Sequence, residues 1–323
     1  MKQAVKSSMV LAASLWAGAT WGANPAQGSL ADLSDSNSVL KLLQRPTAGK
    51  AAVNALAAAV PQAALVSKFS TVDFPGASTS EVTGSGAGQF VGVAVFGGTS
   101  SQVFSFTFKG GVYSTFTVPG STSTIAFSIN DTGTIVGGFL SADLLHGFIH
   151  SGETFTTVDV PGSKQTIVTD INEAGDFCGI WFDANNASHG FVNRGGTFAT
   201  LDFPAGTDTQ AVGLNASGIV VGIYNDASRV QHGFTFNEGI FTTLDAPGAD
   251  ATTAFGINDA GTISGSFRDA DGTDHGFLLS RGTFSQIDVP GAKSTRLSHI
   301  PNKGRYGAFS VDQLNSTHGI TGR

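Results

Sequence analysis

Four pairs of residues in this 323-residue chain have the types and spacing of an acid–base apparatus. Asp183 and His189, Asp226 and His232, Asp269 and His275, and Asp312 and His318 each stand six residues apart. A carboxylate that orients an imidazole can make it a general base. Catalysis needs one such constellation, however, and four equal copies are what a structural hydrogen bond across a repeated hairpin would leave. An Asp two residues before a Pro recurs in the same way, at Asp73, Asp159, Asp202, Asp245 and Asp288, and reads as a strand-end cap. The run from Asp269 to Asp274 gathers three carboxylates around Gly272, but it departs from calcium-loop spacing and has no Glu at the twelfth position. It reads as a polar hairpin loop, and no metal ligand is assigned. Gly84-Ser85-Gly86 lacks the Lys and following helix of a phosphate loop, and neither G-x-S-x-G nor H-E-x-x-H occurs. No catalytic residue and no cofactor is expected.

Two further sets of residues are candidates for ligand contact. Phe139, Trp181, Tyr224, Phe267 and Phe309 recur at similar places and either stack on sugars or pack between sheets. Trp181 and Tyr224, which carry a polar handle, are the better ligand candidates. The second set is a column in which equivalent positions disagree: Thr83, Ser128, Asp170, Gly213, Gly256 and His299. Departures within a repeat have either drifted or been recruited. If this strand is innermost, Asp170 and His299 face each other across a central channel, too far apart for a direct dyad but placed to hold a ligand between them. Neither side chain is needed for a strand geometry that glycine achieves elsewhere, so each should be removable within about 0.5 kcal/mol.

The elements that position these residues come from a repeat. His-Gly pairs at His146, His189, His232, His275 and His318 are 43 residues apart, and Pro75, Pro119, Pro161, Pro204, Pro247 and Pro290 follow the same period with steps of 44 and 42 at the start. Six units of 43 fill residues 66–323. In one unit, β-branched and aromatic runs give four strands: a, Phe241 to Ala246; b, Thr253 to Ile257; c, Thr262 to Phe267; d, His275 to Ser280. Pro-Gly, Asn-Asp-Ala-Gly and Arg-Gly punctuate them, and no run keeps a helical period. Four-stranded antiparallel units of this length predict an all-β, six-bladed β-propeller. Strand a of the first unit, Phe69 to Phe74, should complete the last blade and close the ring. An open solenoid of β-units is the competing arrangement.

The motif of an aromatic, Asp-x-Pro-Gly, Gly-Ile-Asn-x-x-Gly-x-Ile-x-Gly and His-Gly-Phe resembles the bacterial extracellular HAF repeat family, named for a His-Ala-Phe signature, here with Gly in the middle. The resemblance covers residues 66–323 and is clearest in units two to five. Unit two has Thr117 in place of the Asp, and unit one has Phe104-Ser105-Phe106. Unit six has Pro301 in its turn and His318-Gly319-Ile320. The resemblance implies secretion and a repeat fold, and it carries over no catalytic residue.

Secretion is also the reading of the N-terminus. Lys2 and Lys6 precede an apolar stretch from Met9 to Trp21, with small residues near Ala17 to Ala19 and Gly22-Ala23 for cleavage. Residues 1–23 are therefore expected to be a signal peptide and residues 24–65 an Ala/Ser-rich leader, leaving no membrane insertion after cleavage and an extracellular or periplasmic location. A net charge of −7 without a basic run argues against nucleic acid, and the lone Cys178 excludes an internal disulfide. The expected function is a binding or scaffold module for a glycan, a cell-surface polymer or a cell-surface protein. A polysaccharide lyase or hydrolase at the channel mouth is the rival, and a structural envelope protein is a third reading.

Overall fold

The computed structural model describes residues 69–97, 102–142, 144–303 and 305–322. The expected signal peptide and leader lie outside the described residues. Runs rich in Val, Ile, Thr and Phe form 24 strands and, among the described residues, no helix. Six four-stranded antiparallel sheets result, a six-bladed β-propeller.

Blade one is β2 (Thr79–Gly86), β3 (Gln89–Phe96), β4 (Gln102–Lys109) and β5 (Val112–Phe116). Blade two is β6 (Ser123–Ile129), β7 (Ile135–Ser141), β8 (Leu144–Ser151) and β9 (Thr154–Val158). Blade three is β10 (Gln165–Ile171), β11 (Phe177–Phe182), β12 (Ser188–Arg194) and β13 (Thr197–Leu201). Blade four is β14 (Thr207–Leu214), β15 (Val220–Asn225), β16 (Gln231–Asn237) and β17 (Ile240–Leu244). Blade five is β18 (Ala251–Ile257), β19 (Ile263–Arg268), β20 (Asp274–Ser280) and β21 (Thr283–Ile287). Blade six is β22 (Ser294–His299), β23 (Tyr306–Val311), β24 (Thr317–Gly322) and the N-terminal β1 (Ser70–Thr71). Each blade is thus the b, c and d strands of one unit plus strand a of the next. Strand a ends two residues earlier than expected, because the Asp-x residues already belong to the turn.

That turn has one construction throughout. Pro presets the first corner and Gly supplies the left-handed second one, with φ of 76 to 83° at Gly76, Gly120, Gly162, Gly248 and Gly291; in blade three the role falls to Ala205 at φ 61°. A hydroxyl locks each turn: the backbone N–H of Phe74, Val118, Val160, Phe203, Ala246 and Val289 donates to Ser80, Thr124, Thr166, Thr209, Thr252 and Thr295 at 2.9 to 3.0 Å.

The blade core is a phenylalanine over a glycine. Phe106 comes from the Phe104-Ser105-Phe106 that replaces His-Gly-Phe in blade one, Phe148, Phe191, Phe234 and Phe277 come from the His-Gly-Phe segment of strand d, and all five are 0% exposed. Their partners across the ladder are Gly92, Gly137, Gly179, Gly222 and Gly265 of strand c. A Cβ on any of these glycines would lie 2.5 to 2.9 Å from the ring and would strike the carbonyl of strand b as well. Blade six changes both members together, with Ala308 opposite Ile320. Full burial of one such ring contributes about 3 kcal/mol.

The ring closes through β1, which pairs with β24 at Ser70↔Thr321 and Thr71↔Ile320, and Val72 N–H continues the ladder to Gly319 O at 2.7 Å. On the other face of this seam the Ser298 hydroxyl donates to Val82 O at 2.6 Å. Charged groups also converge there. Arg296 of β22 pairs with Asp274 of β20, which Arg268 Nε also reaches at 3.0 Å. Burial pushes the carboxyl of nearby Glu81 up to about 7, against the pull of Arg296.

Two outcomes follow. Deleting residues 69–76 removes the closing strand, so a thermal melt should drop by roughly 10 °C or more or lose its single transition, with self-association on sizing. An unchanged monomeric melt would refute the lock. Glu81 holds its proton in the folded protein at pH values where the unfolded chain has lost it. Its contribution is full below about pH 4.5 and fades as pH rises to about 7. Denaturant unfolding should therefore show roughly 1 to 3 kcal/mol of stability lost over that window, and Glu81→Gln should remove this part of the slope.

Candidate functional site

The two ends of the propeller carry different chemistry. At one end the b strands of all six blades and the b–c turns of blades two to six surround a cavity of about 40 Å³ on the axis. At the other end lie the c–d hairpins and the Asp-x-Pro turns.

The axial end is held by a relay of asparagines. Asn130 Nδ2 donates to Asn172 O, Asn172 Nδ2 to Asn215 O and Asn215 Nδ2 to Asn258 O, at 3.1 to 3.3 Å, each linking a blade to the next. Their Oδ1 atoms accept N–H groups of their own turns. The next residue along repeats the device with acids. Asp131 accepts Ala87 N–H at 3.1 Å, Glu173 accepts Asp131 N–H at 2.7 Å, and Asp259 accepts Ala216 N–H at 2.8 Å.

The divergent column lies at this cavity, with one correction. Every b strand carries a bulge, between Val82 and Gly84 in blade one and between Ala126 and Ser128 in blade two. The position equivalent to Ser128, Asp170, Gly213, Gly256 and His299 is therefore Gly84, and Thr83 is the bulged residue. Thr83 is 1% exposed, and its hydroxyl donates to Ala126 O of the next blade at 2.9 Å, so it holds two blades together rather than facing a ligand. Thr169 makes the same link to Ala211 O at 2.9 Å.

Asp170, 3% exposed, is a second correction, since it is a hub of three blades and not a dispensable side chain. Oδ1 accepts the Ser128 hydroxyl of blade two at 2.6 Å and its neighbour Ile171 N–H at 2.9 Å, while Oδ2 accepts Leu214 N–H of blade four at 2.8 Å. Burial pushes its carboxyl above the ordinary carboxylate range, opposed by His299 and these hydrogen bonds. Burial in turn lowers His299, against Asp170, the Ser85 backbone and Asp131. Asp170 and His299 thus sense each other across the cavity, and no direct hydrogen bond joins them. Ser128, 2% exposed, is committed to Asp170. Cys178, opposite Asp170 in the ladder, is fully buried and its thiol is pushed well up by burial.

At the other end each histidine holds a carboxylate that the sequence reading did not pair with it, and three of the four expected partners are met as well, through Nε2 at 3.6, 3.1 and 3.4 Å for Asp226, Asp269 and Asp312. His146, His189, His232, His275 and His318 hold Asp159, Asp202, Asp245, Asp288 and Asp73 through Nδ1 at 2.8 to 3.1 Å. These are the Asp residues before Pro, brought beside strand d by strand a. The acids six residues before each His also cap the hairpin. Asp183 Oδ1, for example, accepts Asn185 and Ala187 N–H groups at 2.8 Å, which draw its carboxyl below the usual range. Their second oxygen approaches Nε2 in the later blades, at 3.1 Å for Asp269 with His275. Asp274 belongs to the arginine pairs and Asp269 caps the hairpin turn.

The aromatics prop the imidazoles from beneath. Phe139, Trp181, Tyr224 and Phe267 lie opposite His146, His189, His232 and His275 in the ladder, with ring centroids 4.4 to 5.4 Å apart. Tyr224 is corrected as a ligand contact. It is 7% exposed and sandwiched between His232 and Phe203, the latter stacked at 3.6 Å, with its hydroxyl on Thr243 Oγ1 at 2.9 Å. Trp181 has one face under His189, remains half-buried, and its indole N–H finds no partner. Phe309 is not equivalent to the others; in blade six Ser310 stands opposite His318. Blade one lacks the device, with Ala94 opposite Phe104 and Thr117 where the Asp would be.

No family model matches the sequence, and no curated protein matches it. Among solved structures the chain is similar to an AofleA mutant from Arthrobotrys oligospora, at 13% identity and a TM-score of 0.48, over 77% of this chain and 85% of that one. It is also similar to a mutant of the Aleuria aurantia lectin in complex with Fucα1-6GlcNAc, at 13% identity and TM-score 0.45, over 77% and 92%. Trypanosoma rangeli sialidase aligns at 10% identity and TM-score 0.45 over 76% of this chain and 54% of its own. At these identities none of them assigns a role to a residue here.

Removing the hub should cost what an orphaned buried donor costs. Asp170→Ala leaves the Ser128 hydroxyl and the Leu214 N–H without an acceptor, so denaturant unfolding should lose about 1 to 3 kcal/mol. A loss under about 0.5 kcal/mol would return Asp170 to the status of a dispensable side chain.

Proposed function

We propose that the protein is a secreted, multivalent binding module of the HAF repeat type that takes glycans at the histidine-bearing end of its propeller. The observation that carries the reading is reuse. Five blades present one constellation there, a histidine 20 to 34% exposed beside a carboxylate 31 to 55% exposed. Nδ1 is held by the carboxylate in every copy and Nε2 turns to the hairpin acid at His232, His275 and His318, so each copy presents a partly exposed imidazole beside carboxylate oxygens, and donors and acceptors paired in this way suit the vicinal hydroxyls of a sugar. An enzyme would be expected to gather its unmatched polar groups once. The axial cavity, at about 40 Å³, has room for roughly three water molecules and not for a sugar ring. Secretion is supported by the charged and apolar N-terminal pattern, and among the described residues no helix is long and apolar enough to cross a membrane.

The test is a glycan array printed at two densities and read with the full mature chain. Weak single sites on one face should gain roughly 10²- to 10⁴-fold in apparent affinity on the dense surface. The combined change of His189, His232 and His275 to Gln should abolish that gain while one change only weakens it. Density-independent binding that disappears with one substitution, the fold intact, would sink the multivalent reading.

A further inference from the structure

The axial cavity offers a second, chemically distinct site at the opposite end from the histidines, and it stands independently of the glycan reading. Its floor joins three blades. Asp170 of blade three has two donors on Oδ1 and one on Oδ2, which leaves Oδ2 an acceptor position. His299 of blade six lies opposite. Ser85 of blade one, 5% exposed, lines the same cavity, and its buried hydroxyl has no hydrogen-bond partner. An unsatisfied buried hydroxyl in a polar cavity calls for a partner that the chain does not supply.

The lining is one-signed. Asp131, Glu173 and Asp259 form an exposed rim above Asp170, and no Lys or Arg lines the cavity. A carboxylate oxygen, a hydroxyl and a neutral imidazole are three acceptors, and an –NH₃⁺ group is three donors with one positive charge. The volume admits the ammonium head and one or two carbons, while a branched or quaternary cation would exceed it. A metal ion fits less well, since no cluster of three His, Cys, Asp or Glu residues able to hold one occurs among the described residues.

We propose that the axial cavity binds an unbranched primary alkylammonium ion, held by Asp170, Ser85 and His299. The acidic rim draws the cation in, and its hydrocarbon stem leaves through the mouth. Binding should fade in acid, because protonation of Asp170 removes the charge and protonation of His299 removes an acceptor and adds a like charge. Asp131, Glu173 and Asp259 are the other titrating groups that face the cavity, and their protonation acts in the same direction.

The experiment is an amide-resolved NMR titration of the full chain with ethylammonium, tetramethylammonium and sodium chlorides at equal ionic strength. The Leu214 and Ile171 amides, which donate to Asp170, report on the site. Ethylammonium should give saturable shifts there that are at least tenfold weaker in Asp170→Asn and several-fold weaker in Ser85→Ala. The serine variant keeps the test open if the aspartate variant does not fold. Nα-acetyl-lysine methylamide is the second arm. If it binds more tightly than ethylammonium the source is a lysine side chain, and otherwise a free amine. Absence of saturable shifts, equal shifts with tetramethylammonium or sodium, or undiminished binding in Ser85→Ala would overturn the proposal. Since none of these readouts touches the histidine end, failure here leaves the glycan reading standing, and the reverse.

Discussion

The interlock of a strand c glycine beneath a strand d phenylalanine sets the dimensions of five of the six blades. A β-carbon at Gly137 or Gly179 would meet both the ring and the carbonyl of the neighbouring strand, so the ring lies flat on bare backbone. That close approach lets one large side chain fill a sheet on its own. Blade six shows that the constraint is on the pair and not on either residue, because Ala308 is tolerated where Ile320 has replaced the ring. The glycine of His-Gly has a separate task. Cβ atoms at Gly147 and Gly190 would lie 2.8 and 3.1 Å from Val168 and Ala211 of the next blade. Blade one accepts Ser105 there because its hydroxyl donates to Thr124 O and accepts Ala126 N–H of that blade, turning a collision into two hydrogen bonds.

Joining rigid blades into a ring is then a problem of satisfying backbone groups between sheets. The asparagine relay at the axial end and the hydroxyl-locked Pro turns at the other do this with side chains that recur at the blade period. The N-terminal strand does more than cover an edge. It brings Asp73, which accepts Gly319 N–H at 3.1 Å and holds His318 at 2.8 Å, so the fifth histidine pair exists only when the ring is closed. The Asp73 carboxylate raises His318 above the usual imidazole range, and burial opposes it.

The strands, their turns and the closure by the first strand were legible in the sequence because each depends on local composition and on a period. Partnership across strands was less so. A histidine with one acid six residues before it and another thirteen after gives no internal sign that Nδ1 goes to the later acid and Nε2, at His232 and His275, to the earlier one. Thr83 was misplaced by one residue, because every other member of its column stands nine residues after the proline of its unit and nine after Pro75 is Gly84, so this offset was readable in the sequence. The hydroxyl residue six positions after the one that precedes each of these prolines, Ser80 in the first unit and Thr in the other five, recurred in plain view, and its signal was periodicity in a residue type that seldom draws notice. Thr117 and Phe104 looked like two departures in two units. They are one departure, because strand a of unit two completes blade one.

Geometry also explains why singular chemistry gathers on the axis and repeated chemistry on the rim. Around the rim, equivalent residues are far apart and one solution serves five times. On the axis six equivalent positions converge, and six identical carboxylates would repel while six large side chains would not fit. The column must therefore break symmetry. Gly84, Gly213 and Gly256 give up their side chains where a Cβ would press on the next blade, at 2.8 to 3.0 Å from the backbone of Ser128 and Gly256 in the first two cases. The space so released is what Ser128, Asp170 and His299 occupy. Asp170 uses it to reach the backbone of blade four, and in doing so places a buried carboxyl opposite the imidazole of His299. A propeller built from near-identical units thus acquires an unrepeated polar centre through crowding alone, at the one place where its repeats cannot all be the same.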